Sequence, residues 1–101
     1  MPKFVIEHTV PGAGKLGPAE LQSVARKACD ALNSMGRDIQ WIETFVTADK
    51  LYCVFYAPDE ATLRLHSQKT VFPVDRISEV RATIDPGAAG QEPERESRPP
   101  S

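Results

Sequence analysis

The stretch "IQWIETFVTADKLYCVFYA", residues 39–57, limits what this chain can become more than any other. Residues 39–47 and 50–57 are two runs rich in β-branched and aromatic side chains. The turn between them is so short that they must pair as a hairpin. Side chains of a strand alternate between the two faces of its sheet. Both runs place large apolar groups at odd and even positions alike, so both faces of the sheet are apolar. An antiparallel sheet with one face in water would instead alternate apolar and polar residues.

The remaining elements follow from pattern. "FVIEHT" (4–9) reads as a first strand, and "VPGAGKLG" after it as a flexible loop. The Gly-rich loop lacks the spacing of a phosphate cradle that ends in Lys and Ser or Thr. Pro18 opens a helix where its missing N–H is harmless. Leu21, Val24, Ala25, Ala28, Leu32 and Met35 then form one apolar stripe. Pro58, Asp59 and Glu60 begin a second helix that runs to about Lys69. "RISEVRATI" (76–84) reads as the last strand.

The order strand, helix, strand, strand, helix, strand is the ferredoxin-like α+β plan. It predicts a four-stranded antiparallel sheet with two helices on one face. Right-handed crossovers put the first strand between the third and fourth. Residues 1–84 make one domain by length. Residues 85–101, "DPGAAGQEPERESRPPS", hold four prolines and no large apolar side chain, and read as a disordered tail.

Charge narrows the partners. The tail carries four acids and two bases, which leaves ten of each in residues 1–84. No basic excess exists to meet a phosphate backbone, so nucleic acid is not an expected partner. No apolar run is long enough to span a bilayer, and the N-terminus has no signal-peptide pattern. Cys29 and Cys53 form no CxxC and no disulfide framework. The expectation is a soluble cytoplasmic protein with reduced thiols.

Aligning the first and third strands by their midpoints places Glu7 beside Cys53 and His8 beside Tyr52. One face then carries Val5, Glu7, Cys53, Phe55, Ile42, Thr44 and Val46. The other carries Phe4, Ile6, His8, Tyr52, Val54, Tyr56, Trp41, Glu43 and Phe45. Helices cover one face only, so a second copy is expected on the other. Trp41, Tyr52 and Tyr56 suit such a homodimer interface, since aromatics with a polar handle are enriched there. On the second helix, Leu65 is expected to point at the sheet, with His66 at the edge of the buried side. Glu7, Cys53 and His66 then converge at one end of the sandwich. Imidazole, thiolate and carboxylate together are a ligand set for a late first-row divalent metal. The competing reading has Cys53 as a small buried apolar group and a plain hydrogen bond between Glu7 and His66. His8 belongs to the strand end or interface, and joins a metal only in a site shared across the dimer.

The stretches "FVIEHTVPGAG", "IQWIETFVTADKLYCVFYAPDEA" and "LHSQKTVFPVDRISEV" together resemble the DUF4242 group of small bacterial nickel-binding or nickel-responsive proteins. The likeness covers most of residues 3–82. Its more specific elements are Glu7, "DKLYCV" (49–54), "APDE" (57–60), His66 and "FPVDRISEV" (72–80). The resemblance implies a ferredoxin-like fold, a dimer and nickel as a ligand, with Glu7, Cys53 and His66 at polar positions of the pattern. The expected function is non-enzymatic binding of nickel or a similar ion by a cytoplasmic homodimer. A rival is an enzyme or small-molecule binder resembling dimeric α+β barrel monooxygenases, with His66, Glu7 and Tyr52 lining an organic pocket. A third is an interaction module that binds another protein through its apolar sheet face. A large apolar pocket would favour the small-molecule reading.

Overall fold

The computed structural model describes residues 1–35, 38–69 and 72–90. Its strands are β1 (Lys3–Thr9), β2 (Gln40–Val46), β3 (Lys50–Tyr56) and β4 (Arg76–Glu79). Its helices are α1 (Pro18–Met35), α2 (Glu60–Ser67) and the single turn α3 (Pro86–Ala89), which lies in the stretch read as tail. Residues 91–101 of that tail lie outside the described residues. The strands form one antiparallel sheet in the order β2-β3-β1-β4, the ferredoxin-like arrangement read from the pattern.

The register of β1 differs by one residue from the midpoint alignment. Ile6 stands opposite Cys53, His8 opposite Leu51, and Glu7 opposite Tyr52. The cause is one residue at each strand boundary. β1 begins at Lys3 rather than Phe4, and β3 ends at Tyr56 rather than Ala57. Side chains repeat every second residue, so this single step moves all of β1 to the other face. Phe4, Ile6 and His8 turn inward and are buried. Val5 and Glu7 turn outward. The energetics favour this choice: it buries two large apolar groups and keeps a carboxylate from being buried among helices.

Trp41 is also on the other face from the one expected. A bulge between Trp41 and Glu43 inserts Ile42, so Trp41 stands opposite Phe55 and packs against the core. Its indole Nε1 donates to Thr44 Oγ1 at 2.9 Å. Ile42 is left exposed. Thr44 pairs with Cys53 as expected.

α2 starts at an Asp59 N-cap whose carboxylate accepts from the Thr62 amide at 2.8 Å and from its hydroxyl at 2.7 Å. This start sets the helix phase. Leu63, His66 and Ser67 are buried, at spacings of three and four, whereas Leu65 is 55% exposed. The inward leucine is therefore Leu63. The core consists of Phe4, Ile6, Ile39, Phe55, Ala57 and Leu63.

The Gly-rich segment after β1 is an ordered 3-10 turn (Ala13–Lys15), not a flexible loop. It docks on the β2–β3 turn through Val10 N to Asp49 O (2.8 Å) and Gly14 N to Ala48 O (2.9 Å). Gly12 takes φ +78°, in the left-handed region that favours glycine. A Cβ on Gly14 would lie 2.9 Å from Ala48 Cα, so only glycine allows the close approach.

Candidate functional site

Between α1 and the inner face of the sheet lies a cavity of about 230 Å³. The face that α1 turns toward it includes Ala25 and Ala28, whose short side chains leave the space unfilled. Ile6, His8, Leu51, Cys53 and Phe55 line it from the sheet, and His66 from α2.

His8 and His66 are its two imidazoles, and both are buried. His8 Nδ1 lies 2.8 Å from the Pro73 carbonyl oxygen. A carbonyl can only accept, so Nδ1 carries a proton, and in the neutral ring Nε2 keeps its lone pair. Asp75 N donates to Glu7 O at 2.8 Å, and Thr9 Oγ1 donates to the Asp75 carboxylate, which anchor this loop beside β1. His66 stands edge-on to Phe55, ring centroids 5.1 Å apart, and its buried Nδ1 has no hydrogen-bond partner among the described residues. Burial pushes the His66 pKa down, and the charge His8 would carry pushes it further the same way. Burial also pushes the Cys53 thiol up, a shift that Thr44 opposes. The imidazole of His66 and the thiol of Cys53 are thus both held toward their neutral forms.

The sequence placed Glu7, Cys53 and His66 together. The fold brings Cys53 and His66 to one cavity and adds His8, but sends Glu7 to the opposite face. There Glu7 pairs with Lys50, whose pKa that hydrogen bond raises. The sequence points to a strand-end or interface place for His8; the one-residue step in register instead buries it on the cavity wall that His66 shares. The alternation Phe4, Ile6, His8 was the available signal, since two large apolar residues on one parity mark the core face. Of the three residues expected at a dimer interface, Tyr52 and Tyr56 lie on the open face with Val54 and Phe45, while Trp41 lines the cavity. Among the described residues no three of His, Cys, Asp and Glu gather so as to hold one ion. A metal at the cavity would therefore draw on the two imidazoles and take its other positions from outside this set.

The fold and site define a ferredoxin-like α+β chain with a buried pair of histidines at an apolar cavity. The family model described as nickel responsive protein SCO4226-like matches residues 4–80, and the chain belongs to that family. The crystal structure of SCO4226 from Streptomyces coelicolor A3(2) superposes with a TM-score of 0.63 at 17% identity. It covers 81% of this chain and 99% of that one. No curated protein matches the sequence. Among the described residues no helix is long and apolar enough to cross a membrane.

Proposed function

We propose that this protein binds a divalent transition metal, nickel first, through His8 and His66, as a cytoplasmic homodimer and without catalysing a reaction. The observation that carries the reading is the bond from His8 Nδ1 to the Pro73 carbonyl. It orients the ring and leaves Nε2 as a lone-pair donor, which is how metal-binding imidazoles are commonly held by their second shell. His66 supplies a second buried imidazole, biased to the neutral form that a metal requires. Nickel accepts imidazole nitrogen, and water can fill positions that the chain leaves open. Cys53 lies on the same face, but among the described residues it does not gather with the two imidazoles into a set of three that could hold one ion. The nickel-responsive family gives independent support. The apolar open face, with Phe45 exposed and Tyr52 and Tyr56 half-buried, supports the homodimer.

Calorimetric titration of tag-free protein with Ni²⁺ tests the reading. His8→Ala and His66→Ala should each weaken binding at least about tenfold, which is roughly 1.4 kcal/mol. Glu7→Ala should leave it unchanged. Absence of heat at micromolar protein, or binding that survives both histidine changes in folded variants, would overturn the assignment.

A further inference from the structure

We infer that the cavity between α1 and the sheet also takes an uncharged, ring-sized organic molecule bearing one hydroxyl or similar polar group. Its rings would lie against Ile6, Leu21, Val24, Trp41 and Leu51, with the polar group at the imidazole edge. The inference does not require that a metal bind.

Size is the first argument. Protein interiors are close-packed and hold few voids larger than a water molecule. A cavity of about 230 Å³ is well beyond that. An engineered apolar cavity of about 150 Å³ already binds benzene. The space here therefore holds one substituted ring, or two fused rings.

Chemistry is the second argument. Aliphatic and aromatic side chains dominate the wall, which is poor company for ordered water. Its buried polar groups are His8, His66 and Ser67, with the half-buried Thr44 and Cys53 alongside. Among the described residues Lys27 is the one formally charged side chain on the lining, and it is exposed. A charged organic group, which unlike a metal ion forms no coordinate bond to imidazole, would shed its water and meet no buried counter-charge. A neutral ring loses nothing of that kind, and an apolar pocket with a few convergent polar groups is the usual form of a small-molecule site. His66 adds a third observation: among the described residues its buried Nδ1 has no hydrogen-bond partner.

The test compares p-cresol with toluene, which differ by one hydroxyl, on chelator-treated full-length protein. A hydroxyl both donates and accepts, so it suits either tautomer of His66. Trp41 lies on the cavity wall and is the chain's one tryptophan, so its fluorescence reports occupancy alongside calorimetry. The expected result is p-cresol binding at least about fivefold tighter than toluene. Ala28→Phe, which fills the space, should abolish both while keeping a cooperative melt. His66→Phe should remove the preference for p-cresol but keep toluene binding. Failure of both probes to bind at millimolar concentration overturns the inference, as does binding that survives Ala28→Phe, or no preference in the parent. Nickel titration of the same preparations separates the two sites. Cresol binding without nickel heat retires the metal alone, and nickel heat without cresol binding retires the cavity ligand alone.

Discussion

His66 combines burial with a depressed pKa, and that makes stability depend on pH in a definite direction. In the unfolded chain it titrates near about 6.5. Folded, it titrates lower, so below that pH the unfolded state binds a proton that the folded state refuses. Its contribution is therefore level above about pH 6.5 and turns against the fold as pH drops toward the folded value. Thermal melts between pH 7.5 and 5 should show a falling Tm, and His66→Phe should flatten that part of the curve. A second residue-scale expectation concerns Leu63 and Leu65. Leu63 is fully buried, and Leu63→Ala should cost about 2–5 kcal/mol in denaturant unfolding. Leu65 is exposed, and Leu65→Ala should stay within about 0.5 kcal/mol. The reverse ranking would show that α2 is rotated from the phase described here.

At the scale of elements, the docking of the 3-10 turn on the β2–β3 turn ties the end of β1 to the hairpin. Gly14 is the contact that permits it, because a Cβ there would press on the Ala48 backbone. Neither backbone can yield as a flexible side chain would. Gly14→Ala should therefore destabilise the protein by about 1–3 kcal/mol, read from chemical denaturation. Because His8 sits at the same end of β1, the substitution should also weaken nickel binding if His8 is a ligand.

For the whole molecule, α1 and α2 lie on one side of the sheet, and among the described residues the other side carries exposed apolar surface. Phe45 is 54% exposed on that side, beside half-buried Tyr52 and Tyr56 and the Lys50–Glu7 pair. Sheet-to-sheet contact between two copies would remove this apolar surface from water. Phe45→Glu should then shift the sedimentation profile from dimer to monomer. Trp41→Ala should leave assembly intact, because that ring faces the cavity instead.

Element order, the hairpin, the Pro18 and Asp59 helix starts and the antiparallel sheet were all legible in the chain. Each depends on neighbours a few residues apart, and so did the two-sided apolar character of β3. The site was legible only in part. Cys53 and His66 were read onto one face correctly, whereas Glu7, His8 and Trp41 each went to the wrong one. Local pattern could not decide those three, because parity hangs on strand pairing. A one-residue boundary and a bulge at Ile42 reverse it, and both are settled between strands. The cavity itself is not legible in the chain, since it lies between α1 and the sheet and depends on which residues of each meet there. Periodicity within a segment says which residues share a side. Only the packing of segments against one another decides which side is inside and whether it is filled.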